Sequence, residues 1–333
     1  MKKELFGKLP SGEEIYLYTV SNDECSLSVM EYGASIVEFT HRETNIVGGF
    51  DSLNDYLSDN SNQGRTIGRV ANRIKDGIFT IDGVEYSVTK NQYGNCLHGG
   101  NSFATKPWKL VEHTDSRITL SYVSKDGEEG FPSTVNTEVS FTLDGSAMII
   151  EYKAIPDGKT PISLTNHTYF NIDGLGETVD NQVLTIYADR YNEIGERLLP
   201  TGKRIKVEDT PFDFRTPCVI GERLNEEFKN YDHNYFLCPE KYVEFRGNKL
   251  PLAAELSGKT RRMSVYTDQP CVQLYTGYPL GKGADFRGGI KQVRRGALCL
   301  ETQIEPNSVN YGVGIYGKGE VYSHIAIYKV ELL

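Results

Sequence analysis

Short runs of alternating apolar and polar residues, punctuated by Asp-Gly pairs, recur along this 333-residue chain. Successive side chains of an extended segment point to opposite faces, so such alternation predicts strands with one face on a core. Asp-Gly stands at 76, 82, 126, 144, 157 and 173. In "GIFTIDGVEYSV" the pair Asp82-Gly83 joins two such runs, and Asp144-Gly145 does the same between "TEVSFTL" and "SAMIIEYKA". Both pairs suit the positive φ angles of a tight type I′ hairpin turn. Helical periodicity is confined to short candidates at 52–58 (SLNDYLS) and 222–231 (ERLNEEFKNY). The segment "ISLTNHTYFN" (162–171) predicts a strand with Ser163, Thr165, His167, Tyr169 and Asn171 on one face and Ile162, Leu164 and Phe170 on the other. In "ALCLETQIEP" (297–306), Leu298, Leu300, Thr302 and Ile304 alternate with Cys299, Glu301 and Gln303.

No Pro-, Ser- or charge-rich linker, fixed-period repeat or low-complexity tract interrupts this pattern. The expectation is one all-β domain over residues 1–333. Many antiparallel strands at this length predict two large sheets packed face to face, a large β-sandwich with few short helices and long loops over one opening.

Composition narrows the function. Hydrophobic residues are only 38% of the chain, yet it holds 21 Tyr and 14 Phe. Rings with polar edges or hydroxyls suit broad sheets and sugar-binding clefts. A net charge of −9 without a basic stripe argues against nucleic-acid partners and for a neutral small molecule. Six cysteines lack any C-x-x-C pair, and "MKKELFGKLPSGEE" has no apolar signal core, so a reduced, cytoplasmic setting is expected. No run approaches the ~18 apolar residues of a membrane span.

Several motif matches lack their context. "GVGIYG" (312–317) has the spacing of a dinucleotide turn, but "EVYSHIAIYKVEL" follows it as a strand where a helix and an acidic residue ~20 positions on are needed. "GYPLGKGAD" (277–285) is one residue short of P-loop spacing and has no Ser or Thr after Lys282, so a loop is expected. The sequon Asn166-His167-Thr168 lies in a predicted strand. Histidines 41, 98, 113, 167, 233 and 324 include no H-x-x-x-H pair, and no G-x-S-x-G elbow is present, so neither a zinc site nor a serine nucleophile is expected.

Four segments hold chemistry that a plain strand or turn does not need. In "GRVANRI" (68–74), Asn72 and Arg73 offer donors to a polyol, with a surface salt bridge as the alternative for Arg73. In "NCLHGG" (95–100), glycines beside His98 allow close backbone approach; a buried structural histidine explains His98 equally well. His167 is the third. Glu301 interrupts an apolar run, where a carboxylate has a raised pKa suited to a general base, unless it lies on a solvated face.

With "GRVANRI", "LHGG", "DGEEGFP", "LTNHTYFN", "LLPTG", "TPFDFR", "YDHNYFL", "VYTDQPCVQLYTG" and "CLETQ" in order along nearly the whole chain, the sequence resembles the aldose 1-epimerase (galactose mutarotase) family. The resemblance implies that family's supersandwich fold, an open sugar cleft, and neither metal nor organic cofactor. It implies His167 as general acid toward the ring oxygen, Glu301 as general base at the anomeric hydroxyl, and Asn72, Arg73, His98, Asp232 and Gln273 as holders of sugar hydroxyls. A monomer or weak homodimer acting on free hexoses is expected. The alternatives are a modified or phosphorylated sugar, which needs a basic pocket, and a non-catalytic sugar-binding protein. A glycosidase needs two flanking carboxylates, for which only Glu301 and Asp232 offer themselves. After "LHGG" the chain reads Asn101-Ser102-Phe103-Ala104-Thr105 where the family commonly has Gly-Phe-Asp a few residues on; this loop is expected to border the cleft and to bear on substrate preference.

Overall fold

The computed structural model describes residues 1–333. Antiparallel strands dominate, as the alternation predicts. The first five, from Lys2–Lys8 to Thr44–Asn45, form a meander. A ten-stranded sheet runs from the edge strand Lys109–His113 through Val135–Asp144, Ala147–Pro156 and Tyr322–Leu332 to Cys218–Val219. A third sheet has the order Pro200–Lys206, Ala188–Ile194, Asp232–Leu237, Cys271–Tyr275, Cys299–Gln303.

One cluster of 49 buried residues joins all three, with Tyr18 and Leu27 from the meander, Ile150 and Tyr328 from the large sheet, and Val272, Leu274 and Leu300 from the third. Two polar clasps cross this apolar layer. The Tyr328 hydroxyl donates to the Leu300 carbonyl at 2.9 Å, and Thr302 Oγ1 lies 2.8 Å from His324 Nε2. They anchor the strand Cys299–Gln303 to the large sheet through its core-facing residues, so the intervening residues face the opposite side.

The hairpin at Asp82-Gly83 forms as predicted, with φ of 51° and 80° and Ile81 opposite Val84. The second is displaced by one residue: Asp144 pairs with Ala147, so Gly145-Ser146 is the turn, with Gly145 at φ 54°. The helix Leu53–Ser58 forms behind Ser52, whose hydroxyl accepts the Asp55 N–H at 3.2 Å and donates to the Asp55 carboxylate at 2.6 Å. The helix expected at 222–231 does not form. A 3₁₀ turn, Ile220–Arg223, ends there, and Asn225 Oδ1 accepts the N–H groups of Glu227 and Phe228 at 2.9 and 2.8 Å. That side-chain turn competes with helical bonding.

The strand expected over 162–171 is also corrected. Only Thr165–Asn166 joins a ladder, against Thr66–Ile67. Ser163 bridges Val70 in parallel, and Phe170 bridges both Val47 and Leu298. The segment threads between several partners in turn, so no ladder continues, and every residue from Ile162 to Asn171 is buried.

Candidate active site

Register builds the site. Opposed residues of an antiparallel pair share a face, and Asn234 faces Gln273, which faces Glu301. The adjacent row is Asp232, Tyr275 and Cys299. Leu274, Leu300 and Thr302 turn to the core, leaving Glu301, Asp232 and Tyr275 under an open cleft of about 1100 Å³.

His167 reaches this face from the buried thread. Its N–H donates to the Arg65 carbonyl at 2.9 Å and its carbonyl accepts the Gly64 N–H at 3.0 Å. Gly64 is required there: at φ 67°, a Cβ would stand 1.9 Å from the Ile36 carbonyl oxygen. His167 Nε2 lies 3.9 Å from Glu301 Oε1, bringing together residues 134 positions apart in the chain. Glu301 is 2% exposed, and its Oε2 has no protein partner.

A clasp between two loops forms the adjoining wall. The Asn72 carbonyl accepts the His98 N–H at 2.9 Å, and the Asn72 N–H donates to His98 Nδ1 at 3.2 Å. The His98 ring meets that of His167 edge-on at 5.4 Å. Arg73 is buried rather than a surface ion pair. Its Nε donates to Gln92 Oε1 at 2.8 Å, its N–H to Asn72 Oδ1 at 2.9 Å, and its Nη2 is 3.9 Å from Asp232. A guanidinium so held presents a fixed fork to the cleft.

Burial dominates the electrostatics. It pushes the Glu301 carboxyl up to about 8, with the Asp232 charge adding and Arg73 opposing. It pushes the His167 imidazole down to about 4. His98 is held well below the usual range by burial, then by His167 and Arg73. Asp232 is raised by burial, against Arg73 and a hydrogen bond from Gln273. At 2% exposure Glu301 does not lie on a solvated face.

Six of the seven residues singled out in sequence line the cleft: Asn72, Arg73, His98, His167, Asp232 and Glu301. Gln273 does not. It lies behind Asp232, donating to Oδ1 at 2.6 Å. Residues 101–105, expected at the cleft border, do not line it either; Phe103 is buried against Trp108. Gln92, Tyr93, Tyr169 and Tyr275 line the cleft and escaped the sequence analysis as site residues. Tyr169 shared the His167 face in sequence, but nothing in "NQYGN" marks Gln92 as the partner of Arg73.

The family model for aldose 1-epimerase matches residues 16–329. Galactose mutarotase of Sus scrofa is 35% identical over 333 residues, covering 97% of this chain and 96% of the relative. Aldose 1-epimerase of Escherichia coli is 31% identical, covering 91% and 90%. Among solved structures, an aldose epimerase homologue from C. elegans superposes with a TM-score of 0.86 at 25% identity, covering 95% of this chain and 99% of that one. Match and coverage run through every segment that builds the cleft, and the chain belongs to the aldose 1-epimerase family.

Proposed function

We propose that the protein interconverts the α and β anomers of free hexoses of the glucose and galactose class, with Glu301 and His167 moving the protons. With sugar bound and the pair's one proton placed on His167, Glu301 takes the proton of the anomeric hydroxyl as the C1–O5 bond breaks, C1 becomes an aldehyde, and His167 Nε2 protonates O5. After rotation about C1–C2, O5 attacks the other face of the aldehyde, its proton returns to His167, and Glu301 reprotonates O1. The cycle is redox-neutral, and each proton ends where it began. Arg73, Asn72, His98 and Asp232 replace water at the sugar hydroxyls, while Gln273 orients Asp232.

The observation that carries the reading is the buried pair 3.9 Å apart, both residues lining an open cleft. The two oxygens that exchange protons, O1 and O5, are bonded to the same carbon, so an acid and a base side by side can reach both. Apart from Glu301, the cleft holds four acidic side chains (Asp55, Asp59, Glu227, Asp232) against three cations (Arg73, Lys229, Lys282), which favours a neutral sugar over a phosphorylated one. The reading takes residues 1–333 as one domain; a single cluster reaching from Tyr18 to Val330 supports that.

The test is polarimetry of freshly dissolved α-D-glucose and α-D-galactose. Wild type is expected to speed the decay of rotation, and Glu301→Gln and His167→Asn each to lose about 10²–10⁴-fold in kcat. An unchanged spontaneous rate with wild type sinks the function; full activity in both variants sinks the residue assignment.

A further inference from the structure

We propose that Cys299 is a positioning residue, whose sulfur holds the His167 ring proton on Nδ1 so that Nε2 alone exchanges a proton with the sugar. The inference rests on the role proposed above for His167.

Cys299 and Glu301 are two residues apart on one strand and therefore share a face. The His167 ring spans them. Its Nδ1 is 3.4 Å from Cys299 Sγ, and its Nε2 is 3.9 Å from Glu301 Oε1. Cys299 is fully buried, and the rings of Tyr169 and Tyr275 stand 5.0 and 6.0 Å from the imidazole. The titratable groups around the ring are Cys299, Glu301, His98, Tyr169 and Tyr275, with the charges of Asp59 and Arg65 also acting on it.

The cycle requires a particular tautomer. Once Nε2 has protonated O5, it must stay bare to take that proton back, so the neutral ring must keep its hydrogen on Nδ1. A sulfur lone pair at 3.4 Å can accept that N–H. A carboxylate there would also fix the tautomer, but it would stabilise the imidazolium and weaken Nε2–H as an acid. Burial holds the Cys299 thiol well above its ordinary range, so the sulfur stays neutral and orients the ring without trapping its charge. The opposite polarity, S–H donating to a bare Nδ1, would leave hydrogen on Nε2 and block the return step.

Two measurements test this. In ¹⁵N-histidine NMR of the wild-type protein at neutral pH, His167 should show a protonated Nδ1 and a bare Nε2; the reverse pattern overturns the proposal whether or not the protein is a mutarotase. In polarimetry, Cys299→Ala should lower kcat roughly five- to tenfold, the worth of one hydrogen bond. KM should change little, and Cys299→Ser should recover most of the loss. Unchanged kcat and unchanged His167 signals in Cys299→Ala overturn it. Where Cys299→Ala does not fold, the wild-type spectrum decides. Absence of mutarotation in wild type would defeat the function while leaving the tautomer measurable.

Discussion

Glu301→Gln should stabilise the protein at alkaline pH while disabling it. The Glu301 carboxyl ordinarily titrates at 4.5, and burial raises it to about 8 in the folded protein. Between those values the folded state retains a proton that the unfolded chain has released, so rising pH favours unfolding. The contribution is fully present below pH 4.5 and lost as pH passes 8. A shift of 3.5 pH units, the difference between those two values, corresponds to about 5 kcal/mol at about 1.4 kcal/mol per unit. A glutamine has nothing to ionise, so the stability difference between variant and wild type should grow by up to that amount between pH 4.5 and pH 9. With an unfolding entropy of about 2.1 cal/mol/K per residue over this chain, the corresponding Tm difference is roughly 7 °C. The assay is thermal unfolding of both proteins at pH 5 and pH 9, where titrations independent of Glu301 cancel in the difference. A gap that changes by less than about 1 kcal/mol across that range would refute a buried carboxylate penalised by desolvation.

Two other outcomes follow from the same structure. The profile of kcat/KM against pH should be flat between about 4 and about 8, the values of His167 and Glu301; a second proton blocks the base below it, and loss of the shared proton removes the acid above it. Ordinary values of 4.5 and 6.5 would give a narrower window, so an alkaline limb near 6.5 contradicts the reading. Arg69→Met should destabilise the protein to urea by about 1–3 kcal/mol for each buried carbonyl left without a donor. The buried guanidinium donates to the carbonyls of Pro132 and Ser133 at 2.7 and 2.9 Å and to the Ser124 hydroxyl at 2.6 Å, tying three chain segments together. A loss below about 1 kcal/mol would show that those carbonyls find other partners.

Alternation revealed which residues share a face, because the two-residue period is a property of any strand. That was enough to set Glu301 opposite Leu300 and to predict sheets throughout. It carried no information on what covers a face. "ISLTNHTYFN" has the pattern of a strand with one solvated side, yet both sides are buried, because the segment passes between residues 46–47, the stretch 65–70 and Leu298. The helix misjudged at 222–231 failed for a local reason, the Asn225 turn, that periodicity ignores. Arg73 was legible as a donor, but its Gln92 restraint was not, since the two meet only when separate loops pack.

Burial is also what gives the pair its chemistry. In water a glutamate loses its proton before a histidine does, so near neutral pH the two would hold no shared proton for exchange. Inside the protein each charge is penalised: the carboxylate climbs to about 8 and the imidazolium falls to about 4, reversing the order. Across the interval between them the two groups hold one proton. A bound sugar whose anomeric hydroxyl meets the Glu301 carboxylate and whose ring oxygen meets His167 Nε2 would then favour the charged arrangement. The pair can thus pass that single proton from one side of the ring to the other without exchange with solvent. The polar neighbours that moderate the shift, Arg73 for Glu301 and Gln273 for Asp232, come from other strands and loops, and keep the two charged forms within reach of each other.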